Sequence, residues 1–243
     1  MTSIRPSLST RSAPVEAMGL HFPNPIGLAA GIDRTGEHAP SLLGSGFGHV
    51  EIGTINSETG LVAPLRHSAN GARLGINIGS LRPGLDDLVI ADFETRLRQA
   101  SPIADYVVAN LTAPAMQRSG NSLRVEQLVR RLSKVRDEIS EARGRRTPLL
   151  VKLDGGAIGN PIPAAVTAAR VYGLDGIVLV SDRLRRIEEI SNHMAALTLI
   201  SVGGIQTAAD IRTRLVAGAS LVQIHRAFAD GGKQLLLRML AEL

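Results

Sequence analysis

Three features of this 243-residue sequence predict an α/β protein built as a single (β/α)8 TIM barrel with a short N-terminal hairpin. Eight β-rich runs recur along the chain, with helix-like segments between nearly all of them. Most of the runs are continuously apolar, as strands buried on both faces of a parallel sheet require. Several of the intervening segments stop at glycine, a residue that ends helices readily. A chain of this length accommodates eight such units, and the fold places function at the C-terminal ends of its strands.

The elements follow in order. Residues 1–14, "MTSIRPSLSTRSAP", are rich in Ser, Thr and Arg and lack an apolar core, so they read as a flexible terminus and not a secretory signal. The barrel region, 15–243, opens with "VEAMGLHFPNP", a small hairpin or plug for the barrel's N-terminal end. The strands are "PIGLAAG", "HVEIGTI", "ARLGINIG", "YVVANL", "LLVKLDG", "GIVLVSD", "LTLISVGG" and "LVQIHRA". The helical segments are "GEHAPSLLGSG", "GLDDLVIADFETRLRQA", "SLRVEQLVRRLSKVRDEISEARG", "PIPAAVTAARVYG", "RLRRIEEISNHM", "TAADIRTRLVAG" and, after the last strand, "GGKQLLLRMLAEL". Between strands two and three, "NSETGLVAPLRHSANG" has no helical period. No linker marks a second domain.

Composition narrows the chemistry. An apolar content of 44% and a charged content of 20% are those of an ordinary soluble globular protein, read here as cytoplasmic. Only Lys134, Lys152 and Lys233 are lysines, so the net charge of +5 comes almost entirely from arginine and tolerates anionic ligands. The absence of cysteine excludes disulfides, thiolate-held clusters and cysteine nucleophiles, and no metal is expected. No apolar run approaches the ~18–20 residues that span a bilayer, so no membrane partner is expected. The basic segment 122–144 interleaves acids and carries no aromatic residue, which points to a solvated helix face and no nucleic acid.

Polar residues stand where barrel strands end. Lys152 interrupts "LLVKLDG", where its ammonium either faces a ligand or snorkels to the mouth beside Asp154. Asn77 and Asn110 hold similar places, either to meet a planar heterocycle or to cap loops. Gly203 and Gly204 permit close backbone approach or a tight turn, and Thr207 is placed to cap the next helix. With His225 and Arg226 they fit the phosphate cradle that this fold forms after strands seven and eight.

The stretches "MGLHFPNPIGLAAGIDRTGE", "GFGHVEIGTI", "LGINIGS", "VKL", "VGGI" and "AGASLVQI" resemble, in order, the dihydroorotate dehydrogenase family, class 2 branch. The resemblance runs from about Val15 to the C-terminus. It implies an FMN cofactor on a (β/α)8 barrel and hydride transfer from dihydroorotate to flavin while a side-chain base takes a proton. It implies further that Ala29, Ala30 and Gly31 pass beneath the flavin. Thr54, Asn77, Asn110 and Lys152 would contact its ring or ribityl chain, and Gly203, Gly204, His225 and Arg226 its phosphate. Arg34 replaces a family lysine, keeping charge but changing shape.

The departures lie on the substrate side. In the family's Asn-x-Ser-Ser/Cys-Pro-Asn register this chain reads Asn110, Leu111, Thr112, Ala113, Pro114, Ala115. Alanine therefore stands at the base position and at the substrate-binding asparagine, and neighbouring Thr112 points the other way in extended chain. The loop after strand two is shortened and lacks the family's Asn-Arg-x-Gly-Phe-Asn segment. A family Thr-Asn-Thr is Val180, Ser181, Asp182 here. The family's membrane-facing N-terminal helices have no room before Val15.

Three readings follow: an FMN-binding oxidoreductase with an unidentified small-molecule substrate; a non-catalytic flavin- or phosphate-binding barrel, as a homo-oligomer or in a larger assembly; or an unrelated phosphate-dependent enzyme on the same fold. A residual dihydroorotate dehydrogenase of pyrimidine biosynthesis, using Thr112 or water, completes the set.

Overall fold

The computed structural model describes residues 13–60, 71–113, 116 and 121–243. Most of the expected flexible segment 1–14 and most of the 56–71 connection lie outside the described residues, as do Pro114 and Ala115.

The hairpin is present. Strands β1 (Val15–Ala17) and β2 (Leu20–Phe22) pair antiparallel across Met18 and Gly19, both at positive φ (46° and 73°), as a tight two-residue hairpin turn demands. Its last residue, Phe22, is fully buried and meets His49 edge-on at 5.6 Å between ring centres. The hairpin thus closes the N-terminal end of the barrel.

Eight parallel strands form the barrel: β3 (Ile26–Leu28), β4 (His49–Ile55), β5 (Arg73–Ile78), β6 (Tyr106–Asn110), β7 (Leu149–Asp154), β8 (Gly176–Val180), β9 (Thr198–Val202) and β10 (Leu221–Ile224). They pair in chain order and β10 returns to β3, leaving no free edge. Because side chains alternate across each strand, the apolar residues separate into two sets. Tyr106, Val108, Leu150, Val178, Ile200, Val202 and Leu221 fill the lumen with Phe22. Their neighbours, including Ile76, Val107, Val151 and Ile177, join the helical shell in the larger core.

Two pairs in the lumen are matched in size across adjacent strands. Gly27 of β3 sits opposite His49 of β4, and Gly75 of β5 opposite Tyr106 of β6. A Cβ at either glycine would overlap the partner's ring. The two rings meet edge-on at 6.2 Å between centres.

The helices are α1 (Ala39–Leu43), α2 (Asp87–Ala100), α3 (Ser122–Arg143), α4 (Ala164–Val171), α5 (Leu184–Ser191), α6 (Ala208–Val216) and α7 (Arg226–Glu242). Asp86 caps α2, its side chain accepting from the Val89 amide at 2.9 Å. Thr207 caps α6 as its sequence predicts, in a reciprocal box with Asp210. The last helix departs from expectation: it begins at Arg226, not Gly231, and non-helical Gly232 (φ 58°, ψ −156°) kinks it. Two arginines of α3 pair with acids on neighbouring helix α2, Arg124 with Asp87 at 3.0 Å and Arg131 with Glu94 at 2.6 Å.

Candidate functional site

The centre of the mouth is organised by a residue that the sequence reading passed over. Glu51, on the lumen side of β4, is 0% exposed. A buried carboxylate requires partners, and Glu51 takes them from three other strands. Its Oε1 accepts from Asn77 Nδ2 at 2.7 Å and its Oε2 from Gln223 Nε2 at 2.7 Å. Lys152 Nζ lies 3.8 Å from Oε1.

From Asn77 the hydrogen bonds continue outward. Asn77 Oδ1 accepts from Thr54 Oγ1 at 2.8 Å, and Thr54 Oγ1 accepts from Asn110 Nδ2 at 3.0 Å. Asn110 Oδ1 accepts both the Thr112 amide (2.9 Å) and the Thr112 hydroxyl (2.7 Å). Since Asn77 must donate to a carboxylate, each amide in the chain has one orientation. Each asparagine keeps a second Nδ2 hydrogen; half-buried Asn110 can offer its own to a ligand, whereas Asn77 is fully buried and serves to hold Thr54. Asn110 and the Lys152 ammonium together make a donor surface, suited to the acceptor edge of a planar heterocycle.

Lys152 is 8% exposed and turns inward to Glu51. The alternative of a lysine beside Asp154 is not what the fold forms. Asp154 faces solvent and accepts from the Gly156 amide at 2.7 Å.

The opposite rim is backbone. The Ala29 amide donates to the Ile224 carbonyl at 3.0 Å, extending the β10–β3 pairing into the Ala29–Ala30–Gly31 turn. Buried Asp33 fixes the loop beyond by accepting from the Gly36 and His38 amides. Arg34 is exposed at its crest. His225 Nε2 approaches to 3.4 Å of the point a Gly31 Cβ would occupy. Gly203 and Gly204 both have positive φ (112° and 68°), and a Cβ at Gly204 would lie 3.0 Å from Asp182 Cβ. The turn therefore requires glycine whatever it binds.

Arg214 of α6, which helical periodicity does not distinguish from a surface arginine, locks this turn from below. Its guanidinium donates to the carbonyls of Ser181 (2.6 Å) and Gly203 (2.7 Å) and to Ser201 Oγ (3.1 Å). Above it a cleft of about 1110 Å³ opens, lined by Gly203, Gly204, Gln223, His225 and Arg226 among others. Partial burial lowers the pKa of His225, and the Lys152 and Arg226 charges lower it further.

Ala113, at the position where the resemblance implies a base, is half-buried and carries no proton acceptor. The substrate-side positions Pro114, Ala115 and residues 61–70 lie outside the described residues. Among the described residues no helix is long and apolar enough to cross a membrane.

The predicted residues thus converge on one mouth, with Thr54, Asn77, Asn110 and Lys152 joined through Glu51, and the glycine turn facing His225 and Arg226. The sequence model of the family described as Dihydroorotate dehydrogenase matches residues 155–243. Dihydroorotate dehydrogenase (quinone) of Xanthomonas oryzae pv. oryzae is 31% identical over 94% of this chain and 84% of its own length. The protein of that name from Flavobacterium lutescens is 28% identical over the same shares. Among solved structures, ligand-free DHODH from Eimeria tenella has a TM-score of 0.80 at 22% identity, covering 98% of this chain and 89% of that one. The chain belongs to the dihydroorotate dehydrogenase family.

Proposed function

We propose that this member of the family is an FMN-dependent oxidoreductase acting on a small molecule other than dihydroorotate. The donor surface built on Glu51 carries the reading. The second N–H of Asn110 and the Lys152 ammonium stand where a flavin's pyrimidine edge, rich in carbonyl and ring-nitrogen acceptors, would lie. FMN, when bound, supplies a two-electron acceptor. Asn110 would orient its ring, Thr54 and buried Asn77 would fix Asn110, and Lys152 would stabilise negative charge on the reduced ring. Ala29, Ala30 and Gly31 would pass beneath it, with Arg34 at the rim. Gly203, Gly204, His225 and Arg226 would hold the phosphate.

Ala113 separates the substrate from dihydroorotate. A positioned base contributes typically ~10²–10⁴-fold, and the adjacent hydroxyl, on Thr112, donates its hydrogen to Asn110. The same alanine favours a second reading, a barrel that retains flavin without turnover. Either protein would work in the cytoplasm, as a homo-oligomer or larger assembly, without nucleic acid or membrane.

The visible spectrum of the purified protein and a fluorimetric FMN titration test the proposal. A flavin band, or tight stoichiometric binding, is expected. Protein that neither carries nor binds FMN overturns both readings; a flavin that no hydride donor reduces leaves only the second.

A further inference from the structure

We propose that Glu51 is the positioning residue of this site, setting both the charge that Lys152 presents to a ligand and the polarity of the asparagine edge. The inference rests on the flavin reading above and concerns a residue that touches no ligand itself.

The carboxylate is fixed on three sides. Asn77 and Gln223, both fully buried, hold one oxygen each, and Lys152 stands 3.8 Å from Oε1. That is the one ion pair Lys152 makes among the described residues. In a lumen lined by Val108, Val178 and Ile200, solvent screens such a pair poorly. The ligand therefore meets a nearly neutral Lys152–Glu51 pair instead of a bare cation.

Glu51 also dictates which way the amides point. Asn77 turns Nδ2 to the carboxylate and so Oδ1 to Thr54; Thr54 then offers its oxygen to Asn110. Without the charge at the end, every amide in that chain is free to invert. The donor face that selects an acceptor-rich ligand is thus imposed from two strands away, from β4 to Asn110 on β6, by a residue below the surface.

The test uses the whole chain loaded with FMN, reading the flavin's midpoint potential by anaerobic dye titration and the FMN dissociation constant. Glu51→Gln removes the charge and keeps the shape. It should favour the anionic reduced flavin over the oxidised form by at least tenfold, an upward shift of about 30 mV for a two-electron couple. Lys152→Met should move the potential down, and the double variant should lie between the two. Glu51→Asp, which keeps the charge, should stay within threefold of the parent. A purely structural glutamate would instead weaken both redox forms equally and leave the potential unmoved, which would overturn the proposal.

Should Glu51→Gln not fold, the double variant buries no lone charge and is compared with Lys152→Met alone; its potential must be higher by the same tenfold. If neither Glu51→Gln protein folds while Lys152→Met does, the carboxylate is a packing element and the proposal falls. A parent chain that holds no flavin removes the functional reading and this inference with it. A parent that holds flavin, with an unmoved Glu51→Gln potential, removes this inference alone.

Discussion

His49 should make the barrel acid-sensitive by an amount that can be calculated. Its imidazole is fully buried between Phe22 and Tyr106, and neither ring nitrogen has a hydrogen-bond partner. Burial lowers its pKa from 6.5 to about 3. The unfolded chain therefore binds a proton near pH 6.5, whereas the folded chain resists it until about pH 3. Stability from this group is complete above pH 6.5 and drains away as pH falls toward 3. One proton corresponds to about 1.4 kcal/mol per pH unit, so between pH 7 and pH 4 the loss is about 3 kcal/mol. That is a large fraction of the ~5–15 kcal/mol that holds a domain folded. Urea denaturation of the parent and of His49→Phe at both pH values isolates the effect, because the carboxylates titrate alike in each protein. The variant should lose about 3 kcal/mol less than the parent over this range, even if its larger ring lowers stability at pH 7. Parallel losses in the two proteins, within about 0.5 kcal/mol of each other, would refute the assignment of a neutral, unpaired imidazole.

Other outcomes follow from the mouth. Gly204→Val places a branched side chain at φ 68° and against Asp182; FMN affinity should fall at least about tenfold, roughly 1.4 kcal/mol, and undiminished binding would remove the turn from the phosphate site. FMN retention should strengthen as pH drops from 8 to 5.5, because a bound phosphate raises the lowered pKa of His225 and draws a proton onto it. His225→Asn should flatten that profile, and an unchanged slope would place the phosphate elsewhere. Ala113→Ser should not restore dihydroorotate oxidation, since a near-attack geometry is a separate requirement worth roughly 7 kcal/mol or more. Turnover by either protein at a rate within about tenfold of a base-equipped enzyme would reinstate dihydroorotate as substrate.

The barrel was legible because its signals are local. "HVEIGTI" coincides with β4, and the long period of "SLRVEQLVRRLSKVRDEISEAR" with α3. Lys152 stood out as a cation in an apolar run. Glu51 emits the same signal in "HVEIGTI", yet its meaning depends on a lysine 101 positions later in the chain, and closure of the barrel alone brings the two together. Gln223 is hidden for the same reason. Arg214 and Arg186 occupy positions where a helix would show an ordinary surface arginine, but both are buried with their donors on loop carbonyls. The early start of α7 was masked by Gly231 and Gly232, which read as a terminator and act as a kink.

The glycine-and-ring pairs in the lumen have a consequence for how the strands find one another. Every residue-level slide of one parallel strand on the next that keeps its inward face inward is a step of two. Sliding β4 by that step along β3 would draw His49 off Gly27 and bring its ring against a neighbour with a side chain. The same step between β5 and β6 would strand Tyr106 in the same way. Each pair therefore works as a key cut for a single slot, and the two interlock because their rings touch. Exchange of either glycine for alanine is tolerable only alongside a smaller residue at its partner, so Gly27 with His49, and Gly75 with Tyr106, should change together or not at all in any selection for folded variants.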